Sequence, residues 1–107
     1  MVILLRAPFQ EEVIFENVDQ DGNPVPLPEP LFFEVLNKRG QRVYLKTSGI
    51  EVFGPGNSRV LISFSEEETS MLARLGQALS YNLFSPEGRT VVDGTILAFF
   101  TASQEGV

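Results

Sequence analysis

Apolar residues fall along this chain in short runs, and turn residues separate the runs at intervals of about ten positions, the spacing of a chain built from short strands. Residues 1–5 predict a first strand, broken by Pro8. Residues 12–18 predict a second, with Val13 and Phe15 on one face. Residues 31–37 and 42–47 predict a hairpin that turns on Lys38-Arg39-Gly40-Gln41, with Gly40 supplying the positive φ. Residues 50–53 form a short strand ending at Gly54-Pro55-Gly56-Asn57. In residues 59–64, Val60, Ile62 and Phe64 share a face. Residues 77–84 place Leu79, Tyr81 and Leu83 together. Ser85-Pro86-Glu87-Gly88 has the residues a type I turn favours. Residues 90–101 predict the last strand or pair of strands, with Gly94 as a bulge.

One stretch departs from the two-residue period. Ser65 precedes Glu68 by three positions, a capping box, and Glu66, Glu67 and Glu68 sit where the positive end of a helix dipole favours carboxylates. Met71, Leu72 and Leu75 supply a short apolar face and Gly76 a terminator. A short helix over about 66–75 follows. Another stretch is extended without being a strand. Pro24, Pro26, Pro28 and Pro30 alternate with Val25, Leu27 and Glu29, so every second amide donor is missing; the segment should run as polyproline II along a sheet edge or between sheets. Its even spacing does not fit a P-x-x-P ligand. The pattern as a whole predicts an all-β fold with one short helix, a sandwich or a barrel, with the antiparallel β-sandwich as the expectation. It spans 1–107 as a single domain, with a frayed tail at 102–107.

Composition narrows the chemistry. The 107 residues contain no Cys, no His and no Trp, and 14 acidic residues stand against 8 basic ones for a net charge of −6. No thiol nucleophile, disulfide, imidazole base or thiolate metal site can be built. The acidic balance argues against nucleic acid, whose phosphates need clustered Lys and Arg. No apolar run approaches the roughly 18 residues of a membrane span, and the opening run is too short for a signal peptide. Asp19-Gln20-Asp21-Gly22-Asn23 has the start of a calcium loop, but the required Gly and final Glu are replaced by Pro24 and Pro30, so it reads as a turn. Gly54-Pro55-Gly56 lacks the rest of a phosphate loop. Lys38, Arg39, Arg42 and Lys46 read as the solvated cations of one hairpin. Glu11-Glu12, Glu34 and Glu51 read as solvent-facing acids. These readings predict no enzyme activity, no metal and no cofactor.

The strands carry a different signal. A two-sheet fold buries one face of each sheet, so its strands should alternate. Val2-Ile3-Leu4-Leu5, Leu31-Phe32-Phe33 with Val35-Leu36, and Ile96-Leu97-Ala98-Phe99-Phe100 are apolar on both faces. Phe15, Phe33 and Phe64 are expected in the core. The surplus is either covered by the helix and the proline segment, or it forms a protein–protein contact surface. For the second reading the candidate contact residues are Phe32, Leu36, Phe99, Phe100, Ile3 and Leu5.

The order of features resembles a known family. An apolar strand leads to Glu12-Val13-Ile14-Phe15, then to Asp21-Gly22-Asn23-Pro24-Val25-Pro26-Leu27. A Gly-turn hairpin, Arg59-Val60-Leu61-Ile62-Ser63-Phe64 and Ser65-Glu66-Glu67-Glu68-Thr69 follow. Leu79-Ser80-Tyr81-Asn82-Leu83, Pro86-Glu87-Gly88-Arg89 and Gly94-Thr95-Ile96 close the chain. This resembles the immunoglobulin-like N-terminal domain of bacteriophage upper-baseplate and tail-fibre attachment proteins. The resemblance implies a virion structural protein, made in the host cytoplasm, that docks a tail fibre or receptor-binding protein onto the tail or baseplate. Its partners would be fibre, baseplate or shell subunits in a homo-oligomer or larger symmetric assembly, with neither nucleic acid nor membrane involved. Members normally continue into a stalk; a chain stopping at Val107 favours a separate connector or a capsid decoration (cement) protein. A glycan-binding module is the remaining reading, disfavoured because such modules present Trp or several Tyr and this chain offers Tyr44 alone outside the core.

Overall fold

A computed structural model describes residues 1–76 and 78–101; the expected frayed tail and Gln77 lie outside the described residues. Eight strands and one α-helix follow in the order β1 (Val2–Ala7), β2 (Glu11–Glu16), β3 (Phe32–Leu36), β4 (Arg42–Lys46), β5 (Ile50–Phe53), β6 (Arg59–Phe64), α1 (Glu66–Leu75), β7 (Leu79–Phe84) and β8 (Thr90–Phe100), with a 3₁₀ turn at Pro55–Asn57. They form a five-stranded sheet, β1-β8-β7-β3-β4, and a three-stranded sheet, β2-β6-β5. All neighbours are antiparallel except β1 and β8, which run parallel with Val2 opposite Thr95 and Ala7 opposite Phe100.

The inner faces meet across one core, the arrangement of a β-sandwich. Ile3, Leu5, Phe33, Val35, Leu79, Tyr81, Leu83 and Ile96 of the larger sheet pack with Phe15, Val60, Ile62 and Phe64 of the smaller. Aromatic rings bridge the layers: Phe33 stands edge-on to Phe64 at 5.5 Å, and Phe15 lies 6.2 Å from Tyr81. Phe15, Phe33 and Phe64 are buried as their alternation requires. Three strands cannot cover five, and α1 completes the smaller layer by packing on β1 and β8. Leu72 enters the core, and the Thr69 hydroxyl donates 2.9 Å to the Phe9 carbonyl, tying the helix to the β1–β2 link.

The helix starts as its sequence dictates. The Ser65 hydroxyl accepts from the Glu68 amide at 3.1 Å, and the Glu68 carboxylate accepts from the Ser65 amide at 2.9 Å. In the proline segment two of the three amides that remain are used: Val25 donates to the Asn17 carbonyl and Leu27 to the Asn57 carbonyl, while Leu27 is buried. The Asp19 carboxylate is occupied by the Asp21 and Asn23 amides, each at 2.9 Å, so this loop is a turn. The Asn23 amide leads in holding its carboxyl below the usual value.

One expectation needs correction, and one of two open alternatives falls. Gly94 is not a bulge; it pairs in register with Tyr81. A Cβ there would lie 1.8 Å from the Met1 carbonyl oxygen, so glycine is required because β1 runs directly against β8. The bulges lie elsewhere, at Leu83/Phe84 and Val35/Leu36. Nor do the helix and the proline segment cover the outward apolar residues. The helix lies on the inner side of β1 and β8, and the proline segment bonds near the ends of β2 and β6.

Candidate functional site

Alternation along β1 decides what the larger sheet presents to solvent. Ile3 and Leu5, expected as contact residues, point inward and are 2% and 0% exposed. That expectation fails on parity: Arg6 cannot be buried unpaired, so it faces outward and carries Val2 and Leu4 with it, while Ala7 faces in. Val2 and Leu4 are each 60% exposed. The parallel register sets Leu4 beside Leu97 and Arg6 beside Phe99, and these apolar neighbours are 48% and 44% exposed. Val2, Leu4, Leu97 and Phe99 thus form one outward apolar patch on the β1–β8 flank. Phe100 is half exposed at the end of β8, beside Ala7.

Phe32 and Leu36 also face outward, but on another flank. Phe32 is half-buried because its ring stands edge-on to Phe84 at 5.9 Å. The Arg42 guanidinium lies 5.9 Å above the Phe84 ring and pairs with Glu34 at 2.8 Å. Glu34 in turn accepts from the Asn82 amide at 3.0 Å; that bond, against some burial, and then Arg42 hold its carboxyl below the usual range. Phe32 pairs with Phe84 opposite Thr90, at the far end of the sheet from Phe99. Ser80, Thr95, Asn82 and Asp93 form a polar strip between the flanks. The structure therefore does not bring Phe32 and Leu36 together with Phe99 in one surface.

The charged side chains at the sandwich edge are organised differently from the solvated hairpin expected of them. Lys46 shares the inner face with Phe33 and is only 5% exposed. Its ammonium donates to both Glu68 oxygens, at 3.0 and 2.8 Å, and lies 5.5 Å from the Phe64 ring centre. Gly49 leaves room for it, since a Cβ there would stand 2.9 Å from Lys46 Nζ. The Tyr44 hydroxyl donates to the same carboxylate. Burial pushes Glu68 up, but the bonds from Lys46, Tyr44 and the Ser65 amide outweigh it and its pKa lies below the ordinary 4.5. Burial first, and then this carboxylate, push the Tyr44 phenol well above its usual value. Lys46, Gly49 and Glu68 border an open cleft of about 890 Å³ with Gln10, Glu11, Glu12, Ser48 and Ser63. Lys46 and Glu68 neutralise each other, and Glu68 also closes the helix cap, so the cluster fixes the helix to the β4 edge.

The residues that sequence reasoning missed are Val2, Leu4 and Leu97. The signal for Val2 and Leu4 lies in Arg6-Ala7, whose contrast of charge and size marks which parity of β1 faces out, whereas Leu97 follows only from the pairing with Leu4. No protein-family model and no curated protein matches the chain.

Proposed function

We propose that this protein is an assembly module that acts by contact and not by catalysis: an adaptor that docks a tail fibre or receptor-binding protein to a bacteriophage tail or baseplate. The observation that carries the contact role is the outward patch of Val2, Leu4, Leu97 and Phe99, four adjacent large apolar side chains each at least 44% exposed. Grouped exposure of this kind marks interaction surfaces. The viral setting rests on the order of turns, cap and strands that resembles the attachment-protein domain.

We also infer an immunoglobulin-like topology. The last strand pairs with the seventh and the seventh with the third, facing a sheet of the second, sixth and fifth. That partition parallels the GFC-against-BED layers of immunoglobulin sandwiches, with β1 and β4 extending the larger layer.

The test uses virions of the phage that encodes the chain. Antibody to the protein is expected to label the tail or baseplate, and Phe99→Ser, folded by circular dichroism, is expected to be lost from particles. Label over the shell replaces the adaptor with a decoration protein, and absence from the virion overturns both.

A further inference from the structure

The structure has four sheet edges, and three are guarded. The β4 edge carries Arg42 and Lys46 and bears the bulge at Val35/Leu36. The β2 edge carries Glu11, Glu12 and Glu16. The β5 edge is four residues long and includes Glu51. Charges, bulges and shortness are the devices that stop a sheet edge from accepting another strand.

The β1 edge has none of them over Val2–Leu4. Its hydrogen-bonding groups can be assigned from alternation. The Met1 carbonyl accepts from Thr95 at 3.0 Å and the Ala7 carbonyl from Thr101 at 3.1 Å, so odd-numbered residues bond toward β8. Even-numbered residues bond away from it. Of these, Arg6 is satisfied: its amide donates to Glu11 Oε2 at 2.9 Å and its carbonyl accepts from Phe9 at 3.0 Å. The N–H and C=O groups of Val2 and Leu4 have no protein partner among the described residues.

We propose that this edge pairs with the same edge of a second copy, antiparallel and about a two-fold axis, joining two larger sheets into one continuous sheet. The free groups fit that register. In an antiparallel ladder a hydrogen-bonded pair exchanges both its N–H and its C=O. Setting Val2 opposite the second copy's Leu4, and Leu4 opposite its Val2, uses every free group and places Ile3 opposite Ile3 on the axis. The Arg6–Glu11 pair then stands just beyond the overlap and ends it.

Charge also favours a second copy. The chain is acidic overall, yet β1 and residues 95–100 contain no carboxylate and Glu11, the acid bonded to the β1 edge, is paired with the Arg6 guanidinium, so the two negative molecules meet where no unpaired carboxylate stands between them. The pairing is isologous, the commonest kind between identical subunits, and it joins Val2, Leu4, Leu97 and Phe99 of one copy to the same four of the other. This inference rests on reading the β1–β8 flank as a contact surface and adds the partner and its register.

The full chain is tested by sedimentation equilibrium together with amide exchange read by NMR. A concentration-dependent dimer is expected, in which the Val2 and Leu4 amides exchange freely in dilute solution and become protected on association. Leu4→Pro removes a donor that faces away from β8, so the fold should persist while the dissociation constant rises by about tenfold or more. Leu4→Lys, which keeps the backbone groups, places a guarding charge on the edge and should also weaken the dimer. A chain that stays monomeric to millimolar concentration overturns the inference, as does a dimer whose Val2 and Leu4 amides remain unprotected. Particle incorporation separates this inference from the one beneath it: a monomer that still enters tails leaves the docking role standing, and a dimer absent from virions leaves only the pairing.

Discussion

The two flanks of the larger sheet solve the same problem in opposite ways. Both carry apolar side chains on the outward face. At β3 and β4 the aromatic ones are tucked together while Leu45 alone stays 40% exposed: Phe32 leans on Phe84, Arg42 covers Phe84, and the Glu34–Asn82–Arg42 network fixes that cover. At β1 and β8 nothing is tucked, and Val2, Leu4, Leu97 and Phe99 stand open to solvent beside an unguarded edge. The contrast teaches that outward apolar residues alone do not mark an interface. What distinguishes a contact surface is the lack of any neighbour arranged to shield it.

The sharpest test sits within one strand. Leu5→Ala removes a fully buried side chain and should cost about 3 kcal/mol of stability, whereas Leu4→Ala, its outward neighbour, should change stability by less than about 1 kcal/mol. Urea denaturation of the monomer measures both, and similar losses at the two positions would erase the distinction between inward and outward faces.

On the β4 side, Lys46→Met leaves the Glu68 carboxylate without its cation and should cost about 3 kcal/mol, the low end for a broken buried pair because Glu68 keeps some solvent contact. The pH dependence follows from the direction of the Glu68 shift. Its folded pKa is depressed, so its contribution is present above the unfolded value near 4.5 and is lost as pH falls through the folded value. Stability measured from pH 7 down to pH 3 should therefore show an acid-side decline that Glu68→Gln reduces. An unchanged profile in that variant would remove Glu68 from the account.

The smallest effect belongs to Arg42→Ala. The pair with Glu34 is exposed on the arginine side, so less than about 1 kcal/mol is expected, but Phe84 and Phe32 should become more accessible to an apolar dye. No gain in dye binding would mean that Arg42 does not shield this flank.

Local chemistry made most of the elements readable in the sequence. Ser65 and Glu68 announced the helix start, alternating prolines announced a segment outside the ladders, and period-two runs located the strands to within a few residues. What failed depended on distant partners. Gly94 is explained by the Met1 backbone, which no pattern around residue 94 reveals. Lys46 looked like a hairpin cation because its carboxylate partner lies 22 residues further along the chain. The proposed contact surface is half legible: the runs of β1 and β8 are apolar on both faces and point to Phe99, but the run of β1 does not by itself say which parity faces out, and Ile3 and Leu5 are buried. Alternation gives the outward direction of Phe32 and Leu36, and only the packed structure reveals the Phe84 ring against Phe32.

The parallel pairing of β1 with β8 has a consequence for the order of events in the cell. Val2 and Leu4 come from the first strand, Leu97 and Phe99 from the last, and the patch exists only when those strands lie side by side. Closing so long a loop is among the slower steps of folding. A partner that recognises this patch would therefore meet it only after β8 has paired with β1. On the docking role proposed above, the patch would act as a certificate that the first and last strands have paired, and a chain without that pairing would not display it.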